Sequence, residues 1–245
     1  MPDAVICGYA RTPFGKFRGA LSSYSAVELG VKAVEGLLSR TGIDASSGVI
    51  DQVYMGQVLQ TGAGQAPARQ VALGCGMPHS TPCTTINKVC GSSLKAVMIA
   101  ATEIRAGVSE LVVAGGMESM TNSPRFIRDA RRGEDVSYKS LVSVLSFDGL
   151  TDAYTGELMG NTGETCALEF GISREESDVY SLRSHKLSFD AWENGWIGSE
   201  CVSMEELSID EGIRQDADMS NLVSLKPVFS KDGQVTAGNA SQVSD

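Results

Sequence analysis

A short β-branched segment, a cysteine and a long apolar stretch follow one another in the first half of the chain. Cys83–Ile86 predicts a strand, and Cys90 stands just before the Gly-Ser-Ser that opens a predicted helix over Ser92–Ala106. This helix is apolar almost all round, which is typical of a helix buried on every face. The sequence therefore predicts a fold that covers the helix on both sides.

Cys90 is the candidate nucleophile. Free N–H groups and the macrodipole at a helix N-terminus stabilise an anion, and the thiolate is the nucleophilic form of cysteine. Gly91 and Ser92 are small enough to let a substrate carbonyl approach. The alternative is a packed core cysteine, because free cysteines are often buried. We apply that core interpretation to the remaining cysteines: Cys7, Cys75, Cys83, Cys166 and Cys201.

Composition and charge narrow the possible partners. The 245 residues suffice for one large domain or two small ones. A formal net charge of −10 argues against nucleic acid, because no basic stripe is present to neutralise phosphates. The basic cluster at 125–132 is interrupted by Asp129 and predicts a solvated loop.

The cysteine spacing and the apolar runs indicate a cytoplasmic protein. The 6 cysteines are scattered without a C-x-x-C, which predicts neither a disulfide framework nor a zinc site. No apolar run approaches the ~20 residues of a membrane span, and no signal-like segment precedes the first strand-like residues. We therefore expect no membrane association.

The two halves of the chain have different patterns. The first predicts strands at 4–8, 52–58, 83–86 and 111–114, alternating with helices at 25–40, 66–73 and 92–106. This alternation indicates a mostly parallel sheet covered on both faces. From Met117 onward, loops surround two predicted helices, the second opened by a capping box of Ser173 and Glu176. Loop-rich regions of this kind often carry ligand contacts.

Five motifs in order resemble those of thiolases (acetyl-CoA C-acyltransferases). They are ARTPFGKF at 10–17, NKVCGS at 87–92, GGMESM at 115–120, DGLTD at 148–152 and TAGNAS at 236–241. The resemblance implies the N-terminal half of a thiolase-like layered α/β fold, with a mostly parallel sheet, a buried central helix and a helical loop domain. Residues 1–116 would form the N-terminal α/β domain. Residues 117–245 would form the coenzyme A (CoA)-binding loop domain and the start of the return to the core.

The resemblance also implies an activity and a set of site residues. Cys90 would attack a 3-oxoacyl-CoA, become acylated and pass the acyl group to CoA, as in fatty acid metabolism; the reverse reaction is a Claisen condensation. CoA and acyl-CoA would be substrates, with no permanently bound cofactor and no metal. Leu150 and Met159 would line the pantetheine channel, and Arg214 would lie near the adenine and phosphates. The other implied CoA contacts are Leu225, Val228, Phe229, Ala237 and Ser241.

Other thiolase features lie outside this chain. The resemblance places the base histidine, a second cysteine and an Asn-Glu motif in a C-terminal thiolase half, which is absent here. His79 and His185 are interpreted as a loop residue and a surface residue. We therefore expect the isolated chain to be inactive and to need a C-terminal half, from the same gene or a separate chain, within a homodimer or tetramer. Leu158 stands where short-chain biosynthetic thiolases often have histidine.

Three other interpretations stay open at this stage. The first is a non-catalytic CoA- or acyl-binding subunit of thiolase fold. The second is a ketosynthase, which would also place a cysteine between a strand and a helix. The third is a dinucleotide loop at 61–67, although Pro67 replaces the third glycine and no acidic residue stands at the ribose position.

Overall fold

The computed structural model describes residues 3–128 and 141–245. The helices within this part are α1 Ala26–Thr41, α2 Pro67–Gly74, α3 Ser92–Ala106, α4 Met159–Phe170, α5 Arg174–Glu193 and α6 Met219–Ser224. The strands are β1 Gln52–Gly56, β2 Cys83–Ile86, β3 Val112–Gly116, β4 Arg125–Phe126 and β5 Val142–Ser143. The predicted basic cluster thus begins with a short strand rather than a loop, and its residues after Arg128 lie outside the described part.

The main sheet is parallel and has β1 at its centre. Val53 of β1 pairs with Cys83 of β2 on one side and with Val113 of β3 on the other. Helices α1 and α2 cover one face of the sheet, where Val34 and Val71 are buried against Val53. The sequence-based expectation of a parallel sheet with helices on both faces is confirmed, because α3 covers the other face.

The N-terminus of α3 rests directly on the ends of the sheet strands. A Cβ at Gly56 would lie 2.7 Å from the Ser92 backbone and Cβ. A Cβ at Gly116 would collide with the Ser93 hydroxyl. Only glycine permits this close approach, so the two glycines fix where α3 begins relative to the sheet.

Burial of α3 differs from the prediction. Ala96 and Ala100 are buried against Tyr54 of the sheet, but Leu94 and Met98 are 67% and 54% exposed. Among the described residues, the sheet covers one side of the helix and leaves the other side exposed, so burial on every face would require further protein.

The predicted strand at 4–8 is also not seen. These residues form no strand within 3–128 and 141–245, and Val5 and Ile6 are 73% and 80% exposed. The sheet edge at β3 is open on the side away from β1, and it lines a slot whose walls include Ala10 and Leu37. Among the described residues, the 4–8 segment does not pair with this open edge.

Long-range contacts tie the start of the chain to its second half. The Arg11 guanidinium binds Asp210 through two hydrogen bonds, of 2.7 and 3.1 Å, and Glu200 through one of 2.7 Å. Gly15 and Asp245 exchange backbone hydrogen bonds of 2.8 and 2.9 Å. The segment after the first predicted strand is therefore held by residues about 190 to 230 positions further on.

Helix caps agree with the sequence pattern. Ser173 and Glu176 form the predicted capping box at the start of α5, and Ser25 and Glu28 form another at α1. Within the described residues, no helix is long and apolar enough to cross a membrane. The same residues contain no group of three His, Cys, Asp or Glu side chains arranged to hold a metal ion.

Candidate active site

Cys90 is exposed at the start of α3. It lies one residue before Gly91, the N-cap of the helix. A tight turn precedes the helix: the Gly91 and Ser92 N–H groups donate to the carbonyls of Lys88 and Val89, each at 3.1 Å. The predicted location at a helix N-terminus is confirmed, but the turn already uses these two N–H groups.

The other cysteines only partly follow the core interpretation. Cys7 and Cys166 are exposed, so that interpretation is wrong for them. Cys7 lies on the unpaired 4–8 segment, and Cys166 lies on a face of α4 that nothing in the described part covers. Cys75, Cys83 and Cys201 are half-buried. Burial raises the pKa of the Cys75 thiol to about 12, which makes it a poor nucleophile.

Glu118 supports the segment beside Cys90. Its Oε2 accepts hydrogen bonds from the backbone N–H groups of Val58 at 2.9 Å and Leu59 at 3.2 Å. The Val58 carbonyl in turn accepts a hydrogen bond from Asn87 Nδ2 at 3.4 Å, three residues before Cys90. Burial raises the pKa of Glu118, although backbone hydrogen bonds oppose this shift. Its Oε1 is buried without a hydrogen-bond partner among the described residues.

Leu150 and Met159, two of the candidate CoA contacts, are joined through their backbones. The Met159 N–H donates to the Leu150 carbonyl at 2.9 Å. Leu59 packs against Gly149, the residue before Leu150. Because Leu59 also binds Glu118 through its N–H, this part of the candidate CoA surface is joined to the segment that supports Cys90.

Val228 and Phe229 extend the same surface along α4. The Phe229 ring packs directly on Gly160, the residue after Met159. The Val228 N–H donates to the Val235 carbonyl at 3.0 Å. Glu164 of α4 holds this pair in place by accepting the Val235 N–H at 2.9 Å. The segment after α6 is therefore anchored to the helix that carries Met159.

The turn over 236–241 carries two further candidate contacts. Ala237 and Ser241 are both exposed, as residues that contact a ligand must be before it binds. Leu225 packs against Gly238 within this turn. The structure therefore places Leu225, Ala237 and Ser241 on one short stretch of surface.

Arg214 follows Ile213, which lines a groove together with Ser241. The groove is lined by one face of α5, including His185, and by Ile213 and Ser241. The Arg214 N–H donates to His185 Nδ1 at 3.3 Å. Partial burial and the Arg214 charge lower the pKa of His185. His185 is thus half-buried in the groove wall, not the surface residue that the sequence indicated.

Two cavities near the site do not include Cys90. The groove beside α5 contains Ser241 but not Cys90. The slot beside β3 reaches Ser93 but also leaves Cys90 outside. The contacts that connect the Cys90 turn to Leu150 run instead from Asn87 to Val58 and from Leu59 to Gly149.

Two residues with clear structural roles were not predicted from the sequence. Glu118 lies inside the GGMESM motif, which does not by itself indicate a role for it. Asp178 is fully buried and binds Asn239 of the 236–241 turn. The signal for Asp178 was its position four residues after Arg174, which places the two charges on one helix face.

Comparison with known proteins identifies the family. Residues 4–245 match the family profile described as thiolase, N-terminal domain. The acetyl-CoA acetyltransferase 1 of Arabidopsis thaliana is 42% identical, over 99% of this chain and 60% of the relative. A probable acetyl-CoA acetyltransferase of Escherichia coli K12 is 44% identical, over 100% of this chain and 64% of the relative.

A third relative agrees with the first two. A probable acetyl-CoA acyltransferase of Staphylococcus aureus strain COL is 40% identical, over 100% of this chain and 64% of the relative. The chain thus spans 60 to 64% of the length of these relatives. A profile match over nearly all residues, a parallel sheet covered by helices and these identities lead to one conclusion: the chain belongs to the thiolase N-terminal domain family.

Proposed function

We propose that this chain contributes the nucleophile and a CoA-binding surface to a thiolase. Cys90 attacks the 3-oxo carbonyl of a 3-oxoacyl-CoA, and the bond between that carbonyl carbon and the α-carbon breaks. The α-carbon takes a proton and leaves as acetyl-CoA, while the shortened acyl group stays on Cys90 as a thioester. The thiol of CoA then takes the acyl group and frees Cys90. The relatives named acetyl-CoA acetyltransferases and acyltransferases support this reaction class.

The observation that carries the proposal is the physical link between Cys90 and the candidate CoA surface. Asn87 binds Val58, and the next residue, Leu59, packs against Gly149 beside Leu150. If pantetheine lies in a channel at Leu150 and Met159, the acyl group attached to it would extend along these contacts toward Cys90. A cysteine that only packs in a core would not require contacts between its turn and a ligand-binding surface.

Each part of the chain has a role in this proposal. Residues 1–116 form the α/β domain that presents Cys90, and residues 117–245 form the CoA-binding loop domain and the start of the return to the core. The CoA contacts are Leu150, Met159, Arg214, Leu225, Val228, Phe229, Ala237 and Ser241. CoA and acyl-CoA act as substrates, without a permanently bound cofactor.

The base histidine, the second cysteine and the Asn-Glu motif come from a C-terminal half. General-base help to a nucleophile contributes about 10²–10⁴-fold, and neither His79 nor His185 contacts the Cys90 turn. The half-exposed apolar face of α3, with Leu94 and Met98, is supporting evidence for cover by further protein. We assign that cover to the C-terminal half, within a homodimer or tetramer. The unpaired state of all the cysteines favours a reducing, cytoplasmic setting.

Acylation mapping tests the proposal. The chain, with its C-terminal half, is incubated with acetyl-CoA, and the adduct is located by peptide mass spectrometry. We expect the adduct on Cys90, its loss in Cys90→Ala and its retention in Cys166→Ala, which removes an exposed cysteine elsewhere. An adduct on another cysteine overturns the assignment.

The non-catalytic alternative gives a different result in the same experiment. A CoA- or acyl-binding subunit would bind CoA in a direct titration but carry no covalent adduct. A second experiment uses the isolated chain without its C-terminal half. We expect it to show no thiolysis of acetoacetyl-CoA above background. Turnover by the chain alone would show that it carries a base of its own.

A further inference from the structure

Val89, the residue before Cys90, has a backbone conformation that its side chain disfavours. Its φ is +47°, in the left-handed region, and it is one of few non-glycine residues with positive φ in the described part. A β-branched residue in this region is strained and persists only where its surroundings hold it. The contacts around Val89 must therefore supply the compensation.

Two side chains bind the backbone on both sides of Val89. The Ser92 hydroxyl donates to the Val89 carbonyl at 2.6 Å and accepts the Lys88 N–H at 2.8 Å. Asn87 Oδ1 accepts the Val89 N–H at 3.0 Å. Both polar backbone groups of Val89 are thus held by side chains, and Cys90 lies between the two ends of this clamp.

The clamp is anchored to the rigid part of the fold. Ser92 is only 4% exposed, and its backbone and Cβ pack on Gly56 at the end of the central strand β1. The sheet therefore fixes the position of Ser92, and Ser92 holds the backbone of Val89. The conformation of Val89 in turn determines where the next residue, Cys90, is placed.

We propose that Ser92, assisted by Asn87, is a positioning residue that keeps Val89 at positive φ and so sets the position of the Cys90 thiol at the start of α3. The proposal rests on the proposed function only in taking Cys90 as the nucleophile. Without the clamp, Val89 returns to negative φ, and the Cys90 thiol leaves its position at the start of α3.

A double-mutant cycle on thiol reactivity tests the proposal without requiring turnover. The rate constant for iodoacetamide modification of Cys90 is measured by peptide mass spectrometry, relative to the exposed Cys7 and Cys166 in the same sample. We expect Ser92→Ala to lower the relative rate about five-fold, the equivalent of one lost hydrogen bond. In the V89G background, where positive φ is no longer strained, the same substitution should cost less than about two-fold.

The controls distinguish positioning from general damage. Ser109 is equally buried, at 4% exposed, and its hydroxyl binds Glu103 at 3.1 Å, so Ser109→Ala should leave the relative rate at Cys90 unchanged. Labelling of the half-buried Cys75 reports unfolding in every variant. If Ser92→Ala does not fold, Asn87→Ala, which removes the other contact of the clamp, is used in the same cycle.

Two results would overturn the proposal. One is a Ser92→Ala variant, folded by the Cys75 criterion, that keeps the full relative rate at Cys90. The other is a loss of the same size with and without V89G, which would mean that Ser92 acts independently of the strain at Val89. Acylation at Cys90 can succeed or fail separately, because alkylation does not depend on CoA.

Discussion

Asn239 Nδ2 donates a hydrogen bond of 2.9 Å to the buried Oδ1 of Asp178. The other carboxylate oxygen of Asp178 binds Arg174 Nε at 2.8 Å, and Arg174 Nη2 donates to the Leu225 carbonyl at 3.0 Å. One fully buried carboxylate therefore connects helix α5, the end of α6 and the 236–241 turn. This network of hydrogen bonds supports the segments that carry Leu225, Ala237 and Ser241.

Asn239→Ala should weaken CoA binding without changing Cys90 reactivity. The substitution removes hydrogen bonds to Asp178, Gln234 and Thr236, so the turn becomes mobile before CoA binds. We expect about a ten-fold loss of affinity, equivalent to roughly 1.4 kcal/mol. Isothermal titration calorimetry with CoA measures it. Asn194→Ala, at the exposed end of α5, is the matched control; an equal loss there would show that the turn has no special role.

Arg214→Ala should weaken CoA binding in a salt-dependent way. An exposed guanidinium that pairs with phosphate contributes modestly, so we expect a loss of about two- to five-fold at low salt. Raising the ionic strength should shrink the difference from the unsubstituted protein. Direct titration at two salt concentrations checks this, with Arg183→Ala on exposed α5 as control. An unchanged affinity would remove Arg214 from the CoA site.

Glu118→Gln should change how stability depends on pH. Burial raises the Glu118 pKa above its usual 4.5, so the folded protein holds this proton more tightly than the unfolded chain. Unsubstituted protein should therefore lose stability relative to Glu118→Gln as pH rises above about 4.5, where the unfolded chain has already lost the proton. Urea unfolding at several pH values measures the difference.

Glu28→Gln gives the opposite sign and serves as the control. Hydrogen bonds from the backbone and side chain of Ser25 lower the Glu28 pKa, so its stabilising contribution is present above about 4.5 and lost as pH falls below it. If Glu118→Gln followed the same direction as Glu28→Gln, burial would not be what controls Glu118.

The exposed face of α3 should make the isolated chain associate. Leu94 and Met98 lie one turn apart and are both more than half exposed, and clustered apolar surface favours association. We expect light scattering to show species larger than a monomer, and Leu94→Glu with Met98→Glu to shift them toward the monomer. Val108→Glu, at another exposed apolar position, should not do so. A monodisperse, cooperatively unfolding monomer of the unsubstituted chain would contradict this.

Local patterns determined which parts of the structure were predictable. The bounds of α3 and the capping box of α5 follow from side chains adjacent in sequence, and both were predicted. The strand at 4–8 was not seen, because a strand needs a neighbour that its own residues do not specify. Val89 could not be predicted at positive φ, since only contacts made after folding hold a β-branched residue there.

In the candidate site, too, features set by neighbours in sequence could be predicted, and features set by distant contacts could not. The place of Cys90 between a strand and a helix could be predicted because the two elements are adjacent in sequence. Arg174 and Asp178 have the spacing of an ordinary solvated pair on a helix surface. Asp178 is nevertheless fully buried and binds the distant Asn239. Glu118 acts on Val58 and Leu59, about 60 residues earlier, a partnership that no spacing rule predicts.

The contacts between Arg11 and Asp210 and between Gly15 and Asp245 bear on the order in which the chain acquires structure during synthesis. Residues 10–17 leave the ribosome before their partners, which emerge roughly 200 residues later. At about 5–20 residues per second, that delay lasts tens of seconds. Helices α1 to α3 and strands β1 to β3 can assemble during this interval, because all lie within the first 116 residues. The ARTPFGKF segment must wait, and its docking is therefore a late event in folding.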